Sequence, residues 1–511
     1  MIDINKTHYN SIFLALATAV GLLVLFIATG FVFTSDNPVS KSALLVGGCL
    51  FCVGAVTPRR MLMLMVPITF FLDGFKRLLI LTGRTQLDDV TSILAIAPLA
   101  TLGILIGFVI RRIFFRRKGE KAERLAVVGA AAAFIAFGGM EVFTTGNPLH
   151  SLKTAANTTV YYLLPWVALQ CFRTREQIER FFRYSVLVGI PVAIYGIWQY
   201  MMGLSQFEIE YLKSGLSSVG EANLEDVRPR PFSTLSSPTA YSYVMLFMLA
   251  LSAHFVPSKD QVRRTWKANV VILIYALALL VSMVRSAIVA GIGMMVFARL
   301  FRSKAGVCIA YSVSAVCLAG LIAFAEPILH SLDALQTFLP TNSDWQEQAF
   351  RLGTFSDRLI GYRNVLSNPS AWPLVANPLA FDSTKTGSEV YSHDLISQML
   401  LRIGAIPVFL CLCGAIYFVW RAHHVILRLP ERKDGIRPLA ARLMALIVAF
   451  FLSQAAGSGM TTFPLNFWMG MFAGLLSVIC IYLKGTELAV AKTVDVAAVP
   501  PAGIGRRQNP I

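Results

Sequence analysis

The sequence predicts an all-α polytopic integral membrane protein with about fourteen transmembrane helices, each long enough to cross a hydrocarbon layer roughly 30 Å thick. Three observations carry that prediction. Residues of the set AVILMFWYC make up 56% of the 511-residue chain, and Asp, Glu, Lys and Arg only 14%. A soluble chain carries about 25% charged residues. The apolar residues also come in blocks of about 15 to 25, close to the 20 or so that a spanning helix needs. Finally, Lys and Arg gather in short segments between alternate blocks, the pattern that cytoplasmic loops of membrane proteins follow. A secreted enzyme, a cytosolic dehydrogenase and a disordered scaffold are excluded.

The predicted spans lie near 11–33, 41–57, 61–81, 91–110, 125–140, 153–172, 184–202, 238–256, 269–284, 286–301, 305–325, 395–420, 442–458 and 463–483. The first lacks an Ala-x-Ala-like end and reads as a retained anchor rather than a cleavable signal peptide. The third is interrupted by Asp73, Lys76 and Arg77, and reads as a shorter span followed by an interfacial turn. All eight cysteines fall within or at the edge of apolar blocks, so no extracytoplasmic disulfide framework is implied. Cys49 and Cys52 form a CxxC, but amid apolar neighbours its expected role is packing.

The formal charge of +17, from 45 Lys and Arg against 28 Asp and Glu, would point to nucleic acid in a soluble chain. Here Arg111 to Arg124, Arg173 to Arg183, Lys259 to Lys267, Arg299 to Lys304 and Arg421 to Arg442 fill five connections that alternate threading puts on one side. That side is expected to be cytoplasmic, with both termini. The charge is then topogenic, and no nucleic-acid partner is expected.

Two long connections fall on the opposite side, about 203–237 and about 326–394. Connections of that length are functional or disordered. The second contains Trp345, Phe350, Phe355, Leu359, Tyr362 and Trp372, too aromatic for a linker, and is expected to fold as a helical cap. The chain therefore divides into N-terminal membrane helices over 1–224, a central region over 225–420 that includes the outer loop, and C-terminal helices over 421–483. A disordered cytoplasmic tail is expected over 484–511.

Ionisable groups at membrane depth are costly and therefore informative. Of the seven histidines, His393 stands apart, because it falls where the long outer loop turns into the next span. Ser392 is a candidate N-cap, which puts His393 in a first helical turn. There the helix dipole keeps imidazole neutral and available as a base. A histidine that only caps the helix fits the position equally well. Arginines on the outer side are the second unusual feature. Arg228 and Arg230 precede one span, Arg285 sits in a tight outer turn, and Arg351, Arg358 and Arg363 lie in the large loop. Arg358 and Tyr362 stand at i,i+4 on one helix face. Guanidinium suits diphosphate, since it offers a flat fork of donors that stays charged. Singly, each arginine also fits a snorkelling interfacial residue. Walker, HExxH and nucleophile-elbow patterns are absent, and the outer acids form no spaced metal pair. A metal-independent reaction without cofactors is expected. Asp88-Asp89 reads as a cap for the following span.

These residues resemble the conserved segments of the bacterial O-antigen ligase and polysaccharide polymerase superfamily. The stretch RPFSTLSSPT from Arg230 resembles its R-x-x-G-x-x-x-N-P-N segment. Val284-Arg285-Ser286-Ala287 resembles its S-R-S/G-A/G, Arg358 to Tyr362 its R-x-x-x-W, and His393-Asp394 through Gly404 its H-N-x-x-L-x-x-x-x-E-x-G. The segments occur in order over about 225–420. The chain departs from the pattern at Ser233 (glycine in the family), Ser237 and Thr239 (asparagine), Val284 (serine), Tyr362 (tryptophan) and Asp394 (asparagine). It also lacks the G-x-G before the histidine. These differences place it in a divergent branch.

The resemblance implies a C-type glycosyltransferase fold in the bacterial inner membrane, acting on the periplasmic side. Its donor would be a glycan on undecaprenyl diphosphate, and its acceptor another glycan or a lipid. The implied protein partners are a flippase and a chain-length regulator. His393 would be the general base. Arg230, Arg285 and Arg358 would hold the diphosphate, and Asp394 and Tyr362 would touch acceptor or sugar. For Asp394, helix capping is as good a reading; for Tyr362 and Trp372, aromatic core is the better one. The missing G-x-G favours a polymerase of surface polysaccharide. The alternatives are an O-antigen ligase acting on lipid A-core, a protein O-glycosyltransferase, and, from another class, a lipid-linked oligosaccharide flippase.

Overall fold

The computed structural model describes residues 38–81, 87–115, 159–214, 229–253, 262–306, 404–430, 436–454 and 462–483, with the single or paired positions 131, 308–309, 312, 374–375, 395, 399–400 and 459. Within them the chain is helical, with no strand. In order come α1 (Pro38–Val56), α2 (Pro58–Leu81), α3 (Leu87–Leu94), α4 (Ile96–Phe115), a 3-10 turn (Val160–Leu163), α5 (Leu164–Cys171), α6 (Arg175–Met202) and α7 (Gln206–Lys213). Then follow α8 (Pro238–Ser252), α9 (Val262–Val281), α10 (Arg285–Leu300), α11 (Ala405–Arg428), α12 (Ile436–Ser453) and α13 (Leu465–Val478), which closes on a π turn at Ile479–Leu483.

Among the described residues, six stretches are long and apolar enough to cross a membrane: Pro38–Val56, Asp89–Arg111, Arg175–Met202, Ala405–Arg428, Ile436–Ser453 and Leu465–Leu483. Shorter apolar helices run over Val160–Cys171, Pro238–Ser252 and Trp266–Val281. The protein is a helical membrane protein. α2, at 24 residues, falls outside the six because it carries Arg59, Arg60, Asp73, Lys76 and Arg77.

The core centres on α13. Its Trp468 is fully buried, with ring centroids 5.9 Å from Phe70 of α2, 6.1 Å from Phe181 of α6 and 5.8 Å from Phe472. In lipid, tails are as apolar as leucine, so close packing rather than hydrophobicity selects helix neighbours. Small residues permit that approach between α1 and α4: a Cβ on Gly107 would stand 2.5 Å from the Ala55 carbonyl oxygen, and one on Gly54 2.9 Å from the Ile104 nitrogen.

Hydrogen bonds to helix ends show how the helices run. Arg59 donates to the Gln170 carbonyl at 3.4 Å and Arg111 to that of Val56 at 2.8 Å. Arg173 lies 3.9 Å from the Tyr482 ring centroid. Arg437 donates to the carbonyls of Arg302 at 2.5 Å and Leu429 at 3.3 Å. Gly459 lies against both Gln454 and Leu465, so α12 and α13 run antiparallel. One end of the bundle thus holds the starts of α2, α6 and α12 and the ends of α1, α4, α5, α10, α11 and α13. It is rich in arginine, and is called the basic end below. The far end holds the ends of α2 and α6 and the starts of α8, α10 and α11.

Two expectations change. No turn interrupts the third predicted span: α2 is one continuous helix to Leu81, with Asp73, Lys76 and Arg77 buried inside the protein. Within the span predicted at 395–420, α11 starts at Ala405, behind Gly404 at φ 90°, a conformation outside the helical region that glycine supplies. Asp88 and Asp89 lie in the first turn of α3, at the start of the apolar stretch Asp89–Arg111. Apart from positions 131, 308–309, 312 and 374–375, the expected spans near 11–33 and 125–140, most of 305–325, the cap over 326–394 and the tail lie outside the described residues.

Gly107→Val should separate α1 from α4. An overpacking cost of about 1–3 kcal/mol is expected as a lower midpoint in thermal unfolding of the detergent-solubilised protein, whereas Gly48→Ala, where a Cβ meets nothing within 4 Å, should not lower it and should raise it slightly, as alanine favours the helix interior.

Candidate functional site

The far end is organised by a buried polar network that begins on α2. Asp73, Lys76 and Arg77 are 3%, 3% and 1% exposed. Their i,i+3 and i,i+4 spacing sets them on one helix face. Lys76 Nζ lies 3.1 Å from Asp73 Oδ1 and 5.7 Å from the centroid of the Tyr211 ring. The Arg77 guanidinium lies 4.3 Å from the Phe232 ring centroid and 5.4 Å from that of Tyr211. Its Nη1 and Nη2 donate to the main-chain carbonyls of Ser233 and Leu235. A buried cation is costly unless its donors are satisfied; here the two terminal nitrogens of the fork meet carbonyl oxygens and the guanidinium lies over two rings, while Nε has no hydrogen-bond partner among the described residues.

The same segment is held from its other side by α6. Gln199 is 1% exposed, and its Oε1 accepts from the backbone amides of Phe232 at 3.1 Å and Ser233 at 2.6 Å. Its Nε2 donates to Glu208 of α7. Glu208, fully buried, accepts in addition from Tyr195 Oη, the Ser205 amide and Ser205 Oγ, each at 2.9 Å. Ser205 and Glu208 form a capping box, so the residue that starts α7 also completes the network. The long connection at 203–237 therefore contains a docked helix.

Residue 233 shows what this bracing holds. Ser233 has φ 51°, in the left-handed region that costs a non-glycine residue about 1–2 kcal/mol. Its Oγ donates to the Val192 carbonyl at 2.7 Å, and Thr234 Oγ1 donates to that of Phe70 at 2.6 Å. The segment then enters α8 through Ser237, which accepts from the Ala240 amide at 3.1 Å, with Pro238 in the first helical position where a missing N–H costs nothing. The other non-glycine residue at positive φ among the described residues is Met283, φ 55°, in the 282–284 turn that leads into Arg285.

Of the residues singled out in the sequence, Arg230 and Arg285 are described. Both are half-buried and both lie at the far end, Arg230 just upstream of the braced turn and Arg285 as the first residue of α10. His393, Asp394, Arg358, Tyr362 and Trp372 lie outside the described residues. The position after Asp394 does not: Leu395 is 1% exposed and packs with Met399, Val408 and Tyr162, also at the far end. Among the described residues no group of three His, Cys, Asp or Glu could hold a metal ion. Sequence reasoning passed over Asp73, Lys76 and Arg77 as an interruption. Their spacing on one face was the available signal, because charges inside an apolar run survive by pairing. Gln199 and Glu208 carried no comparable signal.

Compared with known proteins, the chain matches no family model and no curated protein.

Asp73→Asn should leave the Lys76 ammonium buried without its counter-charge, a loss of about 3–5 kcal/mol for a buried pair. Lys76→Met in the same chain should recover much of it. A double-mutant cycle on thermal unfolding measures this; additive losses would show that the two side chains do not act as a pair.

Proposed function

We propose that this protein is a membrane glycosyltransferase that polymerises oligosaccharide repeats carried on undecaprenyl diphosphate into a surface polysaccharide. It would act at the periplasmic face of a bacterial inner membrane. In this reading the chain crosses the membrane about fourteen times, the basic end and both termini are cytoplasmic, and the far end is the working face. The observation that carries the proposal is the backbone at Ser233. The ligase and polymerase segment that this stretch resembles has glycine there, and Ser233 holds φ 51°, a conformation that glycine adopts without strain. The shared far-end location of Arg230, Arg285 and Leu395 is a second support, since it gathers three of the four resembling segments.

The reaction forms a bond between an acceptor hydroxyl oxygen and the anomeric carbon, and breaks the bond from that carbon to the diphosphate oxygen. His393 takes the hydroxyl proton, and undecaprenyl diphosphate leaves with the electron pair. Diphosphate is a good leaving group, so no general acid is required. Arg230, Arg285 and Arg358 stabilise its charge by fixed electrostatics, and attack from the opposite face inverts the anomeric centre. Asp394 and Tyr362 are assigned to acceptor or sugar contacts. The donor, a glycan or lipid acceptor, a flippase and a chain-length regulator are the partners this activity calls for.

One observation favours a second reading. The buried Asp73–Lys76 pair in α2 is a kind of group that transporters use inside the membrane, which keeps a lipid-linked oligosaccharide flippase in play. Reconstituted vesicles separate the two: a flippase moves the lipid-linked glycan without forming a glycosidic bond.

His393→Ala should lower the rate of polymer formation by about 10²–10⁴-fold, the usual contribution of a general base. Arg230→Ala and Arg358→Ala should lower it as well, with each protein present in the membrane at wild-type level by immunoblot. Unchanged polymer output in all three would sink the assignment. A deletion strain that accumulates single lipid-linked repeats indicates a polymerase, and one that accumulates lipid-linked polymer indicates a ligase.

A further inference from the structure

We infer that Arg77 and Gln199 are positioning residues, whose joint grip on the 232–235 main chain sets where Arg230 stands; the inference rests on the diphosphate-binding role proposed above for Arg230. The grip acts on the backbone from two sides. Arg77 donates to the carbonyls of Ser233 and Leu235, and Gln199 accepts from the amides of Phe232 and Ser233. Neither contact depends on the side chains of the turn, so what they select is its path. That path includes a serine at φ 51°, and such a residue persists only where its surroundings over-determine it.

The link from the turn to Arg230 is short and stiff. Pro231 fixes its own φ near −65°, and as a following proline it also restricts Arg230 to extended conformations. Pro229 stiffens the other side. Few free main-chain torsions therefore separate the clamped amide of Phe232 from the Cα of Arg230, the point from which its guanidinium reaches out. Gln199 is in turn held by Glu208, which ties the grip to α7.

Three sets of variants test this in the full-length protein in lipid nanodiscs, with an undecaprenyl-diphosphate-linked oligosaccharide as donor. Arg77→Lys replaces a fork by a single ammonium that cannot reach both carbonyls in the same geometry. It should speed amide hydrogen exchange in 232–235 about tenfold or more. Donor KM should rise about tenfold with kcat within about threefold, as expected when ground-state and transition-state binding fall together. Adding Ser233→Gly to Arg77→Lys should return part of the lost affinity, because glycine holds the turn without strain. Since a buried lysine can unfold the protein, the exchange of Gln199→Glu with Glu208→Gln gives an independent reading. It keeps an acceptor towards the amides and reverses the bond between the two side chains, so the double variant should lie closer to wild type than either single one.

Unchanged exchange in 232–235 on Arg77→Lys, or a double swap no better than its singles, would overturn the grip. Faster exchange with wild-type KM and kcat would overturn the positioning role. Wild-type protein that transfers no glycan would instead sink the function proposed above, and the role given to Arg230 with it.

Discussion

A guanidinium buried at the end of an apolar helix must find a partner for its charge and its donors, and the far end of this protein is arranged around how Arg77 does so. Its fork meets two main-chain carbonyls, and its guanidinium carbon lies near the rings of both Phe232 and Tyr211. Because those carbonyls belong to the turn that feeds α8, the position of a distant segment is tied to α2. Gln199 and Glu208 extend the same network to α6 and α7, so four parts of the chain meet in one set of hydrogen bonds. In an apolar medium such a network holds only when nearly complete, since a lost partner strands a buried polar group.

The rest of the bundle is held by different means. Around Trp468, aromatic rings from α2, α6 and α13 pack at centroid distances of about 6 Å in tilted arrangements, within the range where ring pairs attract. Between α1 and α4, the absence of side chains at Gly54 and Gly107 does the work. At the basic end, arginines donate to the carbonyls that helix ends leave open, as Arg437 does to Leu429 and Arg302. Packing thus fixes the middle of the bundle and hydrogen bonds fix its two ends.

Much of the fold was legible in composition and block length, because a helix in lipid satisfies its own backbone and needs only to be apolar and long enough. Helix ends were less legible. α11 starts at Ala405, behind Gly404 at φ 90° and ten residues beyond the start that apolar content indicates, and α2 continues through three charges because they face other helices. The candidate site was legible in part. Arg230 and Arg285 stood out as charges on the side where few are expected. Gln199 did not, since a glutamine near a helix end has no distinctive pattern until the amides it binds are known.

By itself the sequence determined that the protein is helical and built for a membrane, and that its positive charge gathers in a few connections, because those properties are local and additive. Only the tertiary structure decided what Asp73, Lys76 and Arg77 are for. A charge in an apolar run reads as a break when its neighbours in space are lipid, and as an anchor when they are carbonyls and rings from other helices. The choice depends on contacts between residues as far apart as 77 and 233, which no local pattern encodes.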